Sequence, residues 1–144
     1  MQRFFLFTEK VGPEIHSIIN TVSHDLPEAG AYVSFEGRVR NHHKGRGVTR
    51  LIYSAYEAMA LTAGEEIINE ALTKFDILEA RCIHWLGDLA IGDRAIWIGV
   101  WSAHREEAFE ANRSILDTIK AQVPIWKKEF YQGGDYEWVA NAVL

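Results

Sequence analysis

Hydrophobic residues recur along this chain with two periods in turn, and the shorter is sharpest in residues 31–40. There Val33, Phe35, Gly37 and Val39 point one way, while Tyr32, Ser34, Glu36, Arg38 and Arg40 point the other. A period of two is a strand with one buried face, and it puts Arg38 and Arg40 on the same side, roughly 6–7 Å apart. The longer period marks helices. Gly12-Pro13 opens the first, since proline is tolerated in the first turn, and Ile15, Ile18, Ile19 and Val22 give it one apolar face. Ala60, Ala63, Ile67, Ala71 and Phe75 stripe a second helix from about 57 to 75. Ala108, Asn112, Ile115, Leu116 and Ile119 line a third from about 105 to 122, which Pro124 ends.

Between the helices, residues 2–8, 48–56, 79–86 and 95–101 read as further strands. The short connection predicts that 48–56 pairs antiparallel with 31–40. Residues 41–47, with two glycines, read as a mobile loop. Gly87-Asp88, Gly92-Asp93 and the glycine-rich run from Tyr131 to Tyr136 read as turns, and Trp138 as a packing anchor. The order β-α-β-β-α-β-β-α plus a short tail predicts an α+β fold. It is expected to be a single-domain α/β sandwich over residues 1–144, with helices packed on a mostly antiparallel sheet. A chain of 144 residues buries a core without disulfides or metal.

Composition excludes several classes. No apolar stretch approaches the roughly 20 residues of a membrane helix, and Met1 to Phe7 reads as a first strand, not a signal peptide. The one cysteine, Cys82, forms no internal disulfide and suits a small buried apolar position, so a cytoplasmic location is expected. Net charge is −5, yet residues 38–50 carry Arg38, Arg40, Lys44, Arg46 and Arg50 and no acid. A compact basic stretch in an acidic chain is either a local anion site or a solvated loop, and argues against a nucleic-acid-binding surface. No glycine-rich phosphate motif is present, and His42, His43, Cys82 and His84 match no zinc spacing. Ser34 and Ser102 have no partners at the spacing of a serine triad.

The chemistry is expected around Pro124-Ile125-Trp126-Lys127-Lys128-Glu129, read as a proline-fixed aromatic turn. Adjacent lysines in an extended segment point to opposite sides, so only one of Lys127 and Lys128 joins Lys120, near the end of the third helix. Asp117, one turn earlier, either orients Lys120 or pairs on the surface. His104-Arg105 sits at a helix N-terminus, where a cation is ill matched unless an anion is bound. Taken alone, these residues describe a basic pocket for a phosphorylated ligand, with lysines able to do acid/base or nucleophilic work.

Several segments together resemble the MoaE family, the large catalytic subunit of molybdopterin synthase. They are Phe35-Glu36-Gly37-Arg38-Val39-Arg40-Asn41-His42, Tyr56-Glu57-Ala58-Met59 and Ile83-His84-Trp85-Leu86-Gly87-Asp88-Leu89 with Gly92-Asp93. Two more specific ones follow, Ser102-Ala103-His104-Arg105-Glu106-Glu107-Ala108-Phe109-Glu110-Ala111 and the 124–129 segment. The resemblance runs over nearly the whole chain and implies a hammerhead-type fold and a sulfurtransferase. Sulfur from the thiocarboxylated C-terminal glycine of a small ubiquitin-like partner (MoaD-like, ending in Gly-Gly) would convert cyclic pyranopterin monophosphate into the dithiolene of molybdopterin. It implies a homodimer of large subunits within a heterotetramer, and no metal or organic cofactor. It also implies catalytic roles for Lys120 and Lys127, with Arg38, Val39, Arg40, His104, Arg105, Lys128 and Glu129 binding substrate. Lys120 would either stabilise the oxyanion at the acyl carbon or shuttle a proton.

The chain departs from the family in two places. Trp85 stands where members often have arginine, and the tail Val139-Ala140-Asn141-Ala142-Val143-Leu144 lacks the arginine that some extend into a neighbouring subunit's site. Either a residue of the 44–50 segment supplies that charge or the contribution is missing. Two other readings compete with the enzyme. A docking module for a ubiquitin-like tail or phosphorylated metabolite would not need both Lys120 and Lys127. An RNA-binding domain is disfavoured by the acidic balance.

Overall fold

The computed structural model describes residues 2–140 apart from Val11 and Pro13, so the expected opening of the first helix at Pro13 lies outside the described residues. In chain order the first elements are β1 (Phe4–Phe7), α1 (Ile15–Asp25), β2 (Ala31–Arg38), β3 (His42–His43), β4 (Arg46–Ala55) and α2 (Glu57–Lys74). There follow β5 (Glu79–Trp85), β6 (Gly87–Ala90), β7 (Arg94–Ser102), α3 (Arg105–Gln122), β8 (Ile125–Tyr131) and β9 (Tyr136–Ala140). The class is α+β with mostly antiparallel strands, as expected; among the described residues only β1 and β5 pair in parallel.

The first sheet runs β1-β5-β7-β2. Register alone assigns its faces. Phe4, Cys82 and Ile98 are cross-strand partners and share a face, and Phe4 presses against Gly64 of α2, where a Cβ would run into the Phe4 ring. Trp101 has the opposite parity, stacks on its partner Tyr32 and donates from its indole nitrogen to Ser23 of α1 at 2.9 Å. So α2 and α1 cover opposite faces, and α3 packs beside α2 on β2 and β7. Asn112 is the one polar side chain of α3's buried face; its amide donates to Val33 O at 3.1 Å and Ile98 O at 3.0 Å, which satisfies it inside the core.

The second sheet runs β3-β4-β8-β9, with β6 also on β4. Here several expectations are corrected. Strand β4 does not pair with β2. A register shift at Gly37/Arg38 ends β2, and Val39 leaves the sheet, donating to Asp93 O and accepting from Gly92 N. The antiparallel neighbour of β4 on that side is β3. Residues 41–47 therefore form a tight hairpin, not an open loop: His43 pairs with Arg46, and Lys44 (φ 49°) and Gly45 (φ 77°) make the two-residue turn whose positive φ values match strand twist. Gly87-Asp88 begins β6, and the 124–129 segment is strand β8, not a turn. Trp138 is not an internal anchor; it is 55% exposed on β9.

Candidate active site

Strand β8 alternates with period two, burying Ile125, Lys127, Glu129 and Tyr131 and turning Trp126, Lys128 and Phe130 outward. Antiparallel register then sets the neighbours: Tyr53 of β4 and Val139 of β9 flank Lys127, while Leu51 and Glu137 flank Glu129. Lys127 and Glu129 are 6% and 2% exposed, an ion pair on the inner face of a sheet, with Lys127 Nζ 3.7 Å from Glu129 Oε2. The second oxygen of Glu129 accepts from the Tyr131 hydroxyl at 3.5 Å, and His43 Nδ1 lies 3.7 Å from Oε2.

Charge around this pair is unbalanced. Burial pushes the Lys127 ammonium below its ordinary pKa, Glu129 pulls it back up, and Arg40 and then Lys120 push it down again. Three cations thus act at a place where Glu129 is the carboxylate that acts on Lys127. Burial, then Glu129, raise the Tyr53 phenol above its ordinary range and Arg40 opposes them, so Tyr53 stays a neutral hydroxyl. Its ring meets His84 edge-on at 4.9 Å. His84 donates Nδ1–H to Trp85 O at 2.9 Å, and burial lowers its pKa to about 4.

The structure brings Arg40, Lys120, Lys127 and Glu129 to one place and separates the rest. Lys120 is exposed in the last turn of α3. Asp117 does not orient it, but pairs with Arg113 at 3.8 Å. His104 and Arg105 begin the same helix, about 22 Å away at 1.5 Å per residue. Arg38 and Arg40 do not share a face: Arg38 binds Glu36 and Gly92 O in a cleft of about 360 Å³ with Lys10, Glu14, Trp85, Asp93 and Arg94, whereas Arg40 donates to His42 O at 3.1 Å. The bulge that ends β2 is the physical reason. Val39, 2% exposed, is a core residue between them.

Lys128 faces away from Lys127, with Nζ 4.0 Å from the Tyr136 ring centroid and 5.5 Å from that of Trp138. Arg46 lies 3.8 Å over Tyr131 and pairs with Asp135 and Glu137, and Arg50 pairs with Asp88 at 2.9 Å, so these two basic residues of the 44–50 segment are already engaged. Residues 141–144 of the tail lie outside the described residues. Trp85 is 2% exposed and stands against Gly12, a packing role that arginine would not fill. Sequence reasoning missed Tyr53, His43 and Tyr131, whose places follow only from the β4–β8 register and the hairpin. Among the described residues no group of three His, Cys, Asp or Glu side chains is placed to hold a metal ion.

Comparison with known proteins adds a family. A family model described as MoaE protein matches residues 11–122. The molybdopterin synthase catalytic subunit of Thermoplasma volcanium is 46% identical over 112 residues, 78% of this chain and 82% of that protein. The crystal structure of molybdopterin synthase from Staphylococcus aureus superposes with a TM-score of 0.83 at 33% identity, covering 96% of this chain and 98% of that one. A complex of subunits 1 and 2 of the molybdopterin-converting factor from Helicobacter pylori shares the fold, with a TM-score of 0.72 at 19% identity over 95% of this chain and 88% of that one.

Proposed function

The chain belongs to the MoaE family, and from that premise we propose that it is the catalytic subunit of a molybdopterin synthase, an enzyme of molybdenum cofactor biosynthesis. The reaction is a sulfur transfer. Two thiocarboxylated C-terminal glycines of a small MoaD-like partner, in turn, each give one sulfur to cyclic pyranopterin monophosphate, building the dithiolene, and water hydrolyses each acyl carbon to a carboxylate. The two-subunit complex that shares this fold supports a small-subunit partner. No described helix is long and apolar enough to cross a membrane.

One observation carries the assignment of the site: a buried lysine, Lys127, lies within reach of the charges of Arg40 and Lys120 and has Glu129 as its counter-charge. Excess positive charge at a partly desolvated place binds an anion strongly, because the field there is weakly screened. A cyclic phosphate and a thiocarboxylate are both anions. Arg40 and Lys127 hold them, and Lys120, exposed at the edge of the cluster, meets the oxyanion that forms at the acyl carbon. His104 and Arg105 stand too far along α3 to join Lys120 on one phosphate within a chain. In a heterotetramer built on two large subunits, they serve the site of the second copy.

Reconstitution tests this reading. Wild-type protein, a thiocarboxylated ubiquitin-like partner and cyclic pyranopterin monophosphate are expected to yield dithiolene product. Lys120→Ala and Lys127→Ala are expected to lose about 10²–10³-fold in turnover while still binding the partner. Near-wild-type turnover in both variants would remove the lysines from the mechanism. Stable partner binding without product in the wild type would favour a docking module.

A further inference from the structure

The Glu129 carboxylate is contested. Its Oε2 lies 3.7 Å from Lys127 Nζ and equally 3.7 Å from His43 Nδ1. The Lys127 and Glu129 side chains are 7% and 3% exposed and that of His43 is 21% exposed. His43 Nδ1 is itself buried and makes no hydrogen bond, so the carboxylate is the group it faces. The hairpin places it there: His43 is locked opposite Arg46 across the Lys44-Gly45 turn, and the Arg46 guanidinium is pinned over Tyr131, two residues beyond Glu129.

We propose that His43 is a positioning residue for Lys127: its imidazole competes for Glu129 Oε2, and its protonation decides how much of the carboxylate's charge the Lys127 ammonium receives. This rests on the reading of Lys127 as part of the site. With a neutral imidazole, Glu129 serves Lys127 and the Tyr131 hydroxyl, and the ammonium is held on the inner face of β8. With an imidazolium, two cations meet one oxygen. The ammonium is then less tightly held, and it turns toward an incoming anion or gives up its proton more readily. The step is a proton gained or lost by His43 from solvent, with no bond to carbon changed.

The other charged and titratable groups facing this pair are Arg40, after β2; Lys120, on α3; Tyr53 and Arg46, on β4; Tyr131, on β8; and Glu137, on β9. A second imidazole, His84, meets Tyr53 edge-on at 4.9 Å beside this pair, so the His43→Gln variant, and not the pH range alone, assigns a step in the state of Lys127 to His43.

Lysine labelled with ¹³C at Cε reads this directly. The Lys127 resonance is assigned by its loss in Lys127→Arg. In the wild type it is expected to shift with an inflexion at the pH where the His43 ring protons titrate. His43→Gln is expected to lose that inflexion and keep the later titration of Lys127 itself. Glu129→Gln is expected to lose the inflexion with His43 intact. An inflexion that survives His43→Gln, or a wild-type resonance flat across the range, overturns the proposal. An unchanged circular dichroism spectrum, with each titration run well below that variant's own melting temperature, keeps misfolding out of the comparison. The resonance is read without substrate, so failure of the synthase assignment would show in turnover and not here.

Discussion

Strands β7 and β8 are each an interior strand of one of the two sheets, and they are buried in opposite styles. From Ala95 to Ser102 every residue of β7 is buried, with apolar side chains on both faces between α1 and the α2–α3 layer. Strand β8 buries alternate residues, and three of its four inward side chains are Lys127, Glu129 and Tyr131. The first sheet gains stability from the area it removes from water. The second takes two charges out of water, and for a buried ion pair the desolvation cost commonly exceeds the attraction recovered. A chain that can fill one sheet with isoleucine and tryptophan has no folding reason to put lysine and glutamate into the other. On the proposed function the inner row of β8 is kept for chemistry, and the first sheet carries the stability that this row consumes.

The sharpest way to break that contrast is to remove the charges. Glu129→Leu strands Lys127 among cations and is expected to cost about 3–5 kcal/mol, whereas Lys127→Met with Glu129→Leu is expected to be neutral or stabilising by about 1–4 kcal/mol. Urea unfolding of both variants measures this, and a double variant as damaged as the single one would make β8 a stability element like β7. His84 tests the boundary, since it sits on β5 of the first sheet and touches Tyr53 of the second. Its pKa falls from 6.5 in the unfolded chain to about 4 in the fold, so below pH 6.5 the unfolded state takes up the proton and the native state does not. Stability is therefore full above that pH and is lost as pH falls toward 4, by roughly 3 kcal/mol for this one group. Unfolding midpoints across that window are expected to slope in the wild type and flatten in His84→Phe. The smallest effect belongs to the outer face of β8. Lys128→Ala gives up its contacts with Tyr136, Phe130 and Trp138, at about 0.5–1 kcal/mol, and is expected to reduce turnover less than Lys127→Ala does.

What the sequence disclosed follows the same division. Helix α3 spans Arg105 to Gln122, as read, because its apolar period and Pro124 are local signals. The α+β class was legible for the same reason, and the opposite orientation of Lys127 and Lys128 needed only the pleat. Strand pairing was not legible. The partner of Lys127 is Tyr53 and the partner of β2 is β7, and neither pairing leaves a mark near the residues it joins. The Gly37/Arg38 bulge, which parts Arg38 from Arg40, is likewise set by the partner strand. The lysines could thus be nominated from a short segment and a family likeness, while Tyr53, His43 and Tyr131, which set their surroundings, could not.

On the proposed function, the excess of cations over carboxylate acting on Lys127 is expected to make the site an ion exchanger in miniature. Small anions from any buffer will compete there with substrate, phosphate above all. An affinity measured in phosphate is therefore an exchange constant, and it should tighten when the same titration is run in a buffer of bulky, weakly bound anions. Simple screening predicts the same fall with every salt at equal ionic strength. Exchange predicts an order among anions, and that order would be the fingerprint of the cluster before any product is formed.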